Sequence, residues 1–265
     1  MVLVLLLAAI GIQPSQPVKA GIIIAGELTH ERVVTPGETV EGVIVIRNPG
    51  NTPEEVKVFQ TDYLFTCDGQ SYYQNPGDVV RSNATWIEFS PKRFSLPVGD
   101  EFIIHYTIRI PQVDTLKGTY WSMIMVEPIP QSSPERALSE DTIGLTTVLR
   151  YGIQIVSHIG QTGSRDLKFL DTRLLNIQGD RILQVDLENT GERWLKPLVW
   201  VDLYDMTGNH IGKYEGDQLR TYPGTSIRQK IALSSIQPGK YKALIIADCG
   251  EEDLFGIHYT LTINE

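Results

Sequence analysis

The chain has 265 residues, a formal net charge of -9, and a composition that is 42% hydrophobic and 21% charged. That is length enough for one large domain or two of immunoglobulin size, and it excludes a disordered or membrane-embedded chain. No basic stripe interrupts the acidic excess, so nucleic acid is disfavoured as a partner, because phosphate contacts need clustered Lys and Arg.

The N-terminal segment differs from everything after it. Val2 to Ile12 is apolar, Gln13 to Lys19 is polar with two prolines, and Val18-Lys19-Ala20 sets small residues at the -3 and -1 positions of a signal-peptidase site. Residues 1–20 are therefore expected to be an export signal, with a buried first strand as the alternative. No Lys or Arg precedes the apolar run, and no Cys follows it to carry a lipid. No later stretch is long and apolar enough to span a bilayer, so a mature chain free in the periplasm or outside the cell is expected.

Almost every following segment reads as strand. Ile22 to Ala25 and Arg32 to Val34 are short; Val40 to Arg47 is rich in β-branched residues and ends at the Asn48-Pro49-Gly50 turn. Val56 to Phe65 comes next, then a polar stretch from Cys67 to Ala84 expected to be a hairpin or an exposed insertion. Trp86 to Phe89, the Pro97 and Gly99 turn, and the alternating Phe102 to Ile110 lead to two further strands. Tyr120 to Val126 is the first. Ile143 to Ile159 is the second, with Leu145, Leu149, Tyr151, Ile153 and Ile155 on an inward phase and Thr146, Val148, Arg150, Gly152 and Gln154 on the other. Gly160 to Ser164 reads as a linker. Strands then follow at Leu167 to Asn176, Ile182 to Glu188, Leu198 to Tyr204, Ile227 to Leu233, Tyr241 to Ala247 and Ile257 to Ile263. Gln184, Asp186 and Glu188 are expected on an exposed face.

The two halves share punctuation. Asn48-Pro49-Gly50, Pro97-Val98-Gly99 and Gly118-Thr119-Tyr120 in the first answer Asn189-Thr190-Gly191, Tyr222-Pro223-Gly224 and Gly239-Lys240-Tyr241 in the second. This predicts an all-β chain of two tandem immunoglobulin-like Greek-key sandwiches, residues 21–159 and 165–265, with Tyr120 and Tyr241 as tyrosine corners.

Chemistry is hard to find. The five His are scattered outside any metal spacing; Cys67 and Cys249 fall in different domains and are expected to be free thiols; no nucleophile motif occurs. Asp248, Glu251, Glu252 and Asp253 read as a solvated turn, with calcium as the alternative. Asn83-Ala84-Thr85 is a glycosylation sequon. No enzyme, cofactor or metal site is expected. Trp121 and Trp200 read as core, and Trp194 as the exposed aromatic.

Glu127-Pro128-Ile129-Pro130, then a polar loop, then the long last strand of the first domain resembles the N-terminal domain of periplasmic pilus-assembly chaperones. Ser90 to Leu96 is similar to that family's pre-strand segment, and the domain order fits. The resemblance implies a non-enzymatic chaperone or adaptor that binds secreted or surface β-rich subunits by strand addition. The face it implies is Ile143, Leu145, Thr146 and Val148. It also implies two basic residues, Arg32 and Arg150, that hold a subunit's terminal carboxylate in the interdomain cleft. The competing expectation is a structural or adhesive surface protein of two such modules, with carbohydrate as a ligand class.

Overall fold

The computed structural model describes residues 21–129, 149–177, 179–250 and 253–264. The expected signal segment, residues 1–20, and Ile143, Leu145, Thr146 and Val148 lie outside them, as do Glu251 and Glu252. In the first half the strands are β1 (Ile23–Ala25), β2 (Thr29–Val34), β3 (Thr39–Arg47), β4 (Glu54–Phe65), β5 (Ser71–Gln74), β6 (Ile87–Ser90), β7 (Arg93–Leu96), β8 (Glu101–Arg109), β9 (Gly118–Ile129) and β10 (Tyr151–Ile159). The second half holds β11 (Leu167–Ile177), β12 (Asp180–Asn189), β13 (Leu198–Tyr204), β14 (His210–Glu215), β15 (Ser226–Ala232), β16 (Gly239–Asp248) and β17 (Leu254–Ile263). The helical part of the described chain is one 3-10 turn, Ala84–Trp86. No helix there is long and apolar enough to cross a membrane.

The first ten strands form two facing sheets. One runs β1-β3-β8-β6; the other runs β2-β10-β9-β4-β5, with β7 also on β4. The last seven form β11-β12-β15 against β14-β13-β16-β17. Both orders are immunoglobulin-like Greek keys. Period-two alternation puts Ile44, Ile46, Ile104, Ile124, Ile153 and Ile155 into the first core and Leu183, Val185, Leu187, Val199, Val201 and Ile245 into the second.

The repeated N-x-G signature has one physical job in both sandwiches. Asn48 accepts from Gly50 N at 2.9 Å and donates to Thr52 O and Leu96 O; Asn189 accepts from Gly191 N at 3.0 Å and donates to Arg193 O and Thr221 O. The main chains match too: Gly99 N bonds Asn48 O, and Gly224 N bonds Asn189 O. Each Asn is buried and ties the end of one strand to the Pro and Gly turn before another, where a lost partner would leave an orphaned polar group. Tyr241 is a tyrosine corner, its hydroxyl donating to Gln237 O at 2.9 Å. Tyr120 differs: its ring lies 4.7 Å from that of Trp86.

Four expectations are corrected. Trp200 is on an outer face rather than in the core, with Lys213 Nζ 4.2 Å above its ring and its own N–H on Asp202. Trp194 is no free surface contact; it is stacked between His158 and Arg220. Gln184 and Asp186 are buried, not exposed, and Arg228 grips the Asp186 carboxylate at two 2.7 Å contacts. Leu149 and Arg150, expected within the last strand of the first domain, precede it: β10 starts at Tyr151, and Leu149 is half exposed.

Both cysteines are free thiols. Asn83 of the sequon is buried, with its amide on Ile155 O and Ser157 Oγ and its oxygen taken by Ser122, so no atom is left to carry a glycan.

Candidate functional site

The site is built on the outer face of the sheet that contains β10. Cross-strand registers fix its rows: Glu31, Val156 and Trp121; then Thr29, Gln154, Met123 and Thr61; then Gly152, Met125 and Phe59; then Arg150, Glu127 and Lys57. The first row is covered by the second sandwich. Tyr222 stacks on Trp121 at 4.8 Å and 15°, and its hydroxyl donates to Gln154 Oε1 at 2.7 Å. Together with Val156, and with Leu64, Phe65 and Trp194 packed beside them, these residues make a third apolar cluster at the domain seam.

Polar groups lock the same seam. Thr119 N donates to Glu192 O at 2.8 Å, Trp194 N donates to Thr119 Oγ1 at 3.0 Å, and Lys117 and Arg81 both reach the Glu192 carboxylate. Gly118 is required here. Its φ is +78, and an added Cβ would stand 2.1 Å from Glu192 O. Arg220 of the second sandwich pairs with Glu31 of the first and lies 4.5 Å over the Trp194 ring. His158 sits behind them, with Nδ1 3.0 Å from Thr119 Oγ1 and Nε2 3.7 Å from Glu31 Oε2. Burial holds its imidazole below the ordinary value; Glu31 opposes this, and Arg193 and Arg220 add to it.

The pairing of β10 limits what can add to it. On one side it pairs β9 along its whole length. On the other, β2 runs parallel to it from Gln154↔Thr29 to Ile159↔Val34, and Gln154 N bonds Leu28 O. Among the described residues, nothing pairs with Tyr151–Ile153 on that side. The free edge is therefore short. The face expected to meet a partner is also occupied from Gln154 onward, because Val156 and His158 lie under the second sandwich.

Arg32 and Arg150 are not one clamp. Arg32 is opposite Ser157, while Arg150 precedes the strand, which separates them by about 23 Å at ~3.3 Å per residue. Arg32 is exposed at the seam end, its guanidinium on Glu31 O at 2.8 Å. Arg150 bonds Glu127 at 2.6 Å and lies over Phe59. Burial opposes ionisation of Glu127, but bonds from Arg150 and Lys57 outweigh it and hold the carboxyl below its ordinary range. Arg220 lies in the cleft, lining a hollow of about 310 Å³ with Thr29, Tyr63, Phe65, Gln154 and Tyr222. No local motif marks Arg220. The only hint in the sequence is its place just before the Tyr222-Pro223-Gly224 turn.

Aromatic rings continue outward from that hollow. Phe65 meets Tyr222 edge-on, Tyr63 lies 5.6 Å from Phe65, and Tyr73, 57% exposed, lies 5.4 Å from Tyr63. A second hollow of about 420 Å³ is lined by Tyr73, Met123, Met125, Glu127, Arg150 and Gly152. A cavity of about 1300 Å³ opens between the β1–β2 crossing and the edge of β3; His30 is bonded to the Tyr106 hydroxyl inside it, and Arg32 and Arg220 both line it. No group of metal-binding side chains occurs among the described residues.

No protein-family model and no curated protein matches the chain. Solved structures do. A chain of the chaperone–tip adhesin complex of CFA/I fimbriae is similar at a TM-score of 0.48 and 10% identity, over 92% of this chain and all of that one. The class 5 fimbriae chaperone CfaA is similar at 0.46 and 11%, over 90% and 98%. So is a chain of the CsuC–CsuE pre-assembly complex of archaic chaperone-usher pili from Acinetobacter baumannii, at 0.45 and 13%, over 89% and 98%. The fold assignment itself rests on the strand orders given above.

Proposed function

We propose that the protein is a non-enzymatic chaperone or adaptor that acts outside the cytoplasm and binds β-rich secreted or surface subunits by strand addition. The observation that carries this is the edge of β10 at Tyr151–Ile153. It is unpaired among the described residues, continues the line of β2, and borders a concave, aromatic-lined face between two locked sandwiches. Such an edge offers backbone donors and acceptors to an extended partner, and the rows beside it sort the partner's alternate side chains. Fimbrial chaperones provide the precedent in kind. Ile143, Leu145, Thr146 and Val148, outside the described residues, remain part of the proposed partner-binding surface. Arg220 and Arg32, both at the seam end, are better placed than Arg150 to meet an acidic group in the cleft.

The test is co-expression with β-rich secreted or surface subunits, read by backbone amide exchange in the complex. Protection gained at Tyr151–Ile153 is the expected result. A complex that forms while those amides exchange as in the free chain refutes strand addition at β10. Arg220→Ala and Arg32→Ala should each weaken capture several-fold, and Arg150→Ala should leave it nearly unchanged.

A further inference from the structure

Gly152 is the second residue of β10, inside the regular pairing with β9, where glycine costs stability and no backbone need requires it. The β9–β10 register is unbroken through Tyr151↔Val126, Gly152↔Met125 and Ile153↔Ile124, so there is no bulge, and its φ is not among the positive ones. A glycine so placed marks close approach of another group. Here the approaching groups are thioethers. A Cβ at Gly152 would stand 3.0 Å from Met123 Cε and 3.2 Å from both methionine sulfurs. The two methionines thus lean over the missing side chain and floor the 420 Å³ hollow. Tyr73 stands over one side, and the mutually neutralised Arg150 and Glu127 close one end.

We infer that this hollow is a specificity pocket for an aromatic side chain of the incoming partner strand. The inference rests on the strand-addition reading above. A strand added at Tyr151–Ile153 lies about 4.8 Å from β10, and the residue it sets opposite Gly152 on the outer face points across a glycine toward the methionines. An aromatic ring is the group that best covers a glycine across strands, and polarizable sulfur beside a ring is favourable and adaptable. The charges at the rim are already paired, so the pocket selects for size and ring character rather than charge.

The probe is a set of short extended peptides of alternating Thr and Val that differ only in one central residue (Gly, Ala, Leu or Phe). They carry a fluorescent label, and anisotropy with the purified chain reads their binding. The Phe peptide should bind about tenfold more tightly than the Ala peptide. Gly152→Val should erase that ratio while the Ala peptide still binds. Met123→Ala with Met125→Ala should shrink the ratio with Gly152 intact, which keeps the test decisive should Gly152→Val fail to fold. Equal binding of Phe and Ala peptides overturns the pocket and leaves strand addition standing. If no peptide binds, strand addition at this edge falls, and the pocket with it.

Discussion

Tyr222 of the second sandwich stacks on Trp121 of the first, ring centroids 4.8 Å apart and planes at 15°, while its hydroxyl bonds Gln154. One side chain therefore closes the apolar seam and caps the next row of outer-face residues, which runs through Gln154 and Met123. Tyr222→Phe keeps the stack and loses the hydrogen bond, which should cost about 1 kcal/mol. Tyr222→Ala should cost about 3 kcal/mol or more and uncouple the sandwiches. Calorimetry checks this: one transition for the parent chain and two for the Ala variant.

The paired asparagines make a second prediction. Asn48 and Asn189 are both buried, and each makes three side-chain bonds to backbone groups. Replacing either by Ala should cost more than about 2 kcal/mol, and the two losses should be alike, since the orphaned groups are the same. Urea denaturation measures both. A cost below 1 kcal/mol at either site contradicts the shared role.

Acid should weaken the seam through His158. Its folded-state pKa is lowered from 6.5, chiefly by burial, so the docked form binds fewer protons than the open one. Stability is then flat above about pH 6.5 and falls as the pH drops below it, because protonation needs a charge beside Arg193 and Arg220, with only Glu31 to offset them. His158→Asn, which can keep an acceptor toward Thr119, should flatten this slope between pH 7 and 5 in denaturation midpoints.

Gln229 lies inside the second core, fully buried, with neither side-chain polar atom bonded in the structure. Gln229→Met removes two unsatisfied groups at similar volume and should stabilise the chain by about 1 kcal/mol. A thermal melt that moves down instead would show that a bridging water satisfies the amide.

Cys249 should resist thiol reagents in the native state. Burial, with Asp253 and Asp248 nearby, pushes its thiol up to about 12, which leaves little thiolate at pH 8. Labelling with a chromogenic disulfide should become fast at this residue only after unfolding, and Cys249→Ser should remove that slow fraction.

Strand content and punctuation were readable from the chain because they are local. Alternation fixes which face of Ile182 to Glu188 packs inward, and N-x-G turns need their Asn and Gly wherever they occur. β14 escaped detection because, as a sheet-edge strand, His210–Glu215 buries no continuous apolar phase. The candidate site was harder. Arg32 and Arg150 look alike in sequence, yet register sets them on opposite ends of one strand. Trp194, beside Arg193 in a polar turn, reads as exposed until Arg220 and His158 enclose it.

The sequence by itself therefore determined the all-β class, most strands and their inward faces, the repeated turns and the resemblance to pilus-assembly chaperones. Each depends on residues within a few positions of one another. Only the tertiary structure decided which outer face becomes seam and which stays open. It put β2 over most of the β10 edge, set Arg220 against Glu31 at the seam, and brought the two methionines against Gly152. Those outcomes depend on pairing between strands far apart in the chain, and a single strand's period carries no information about its neighbour.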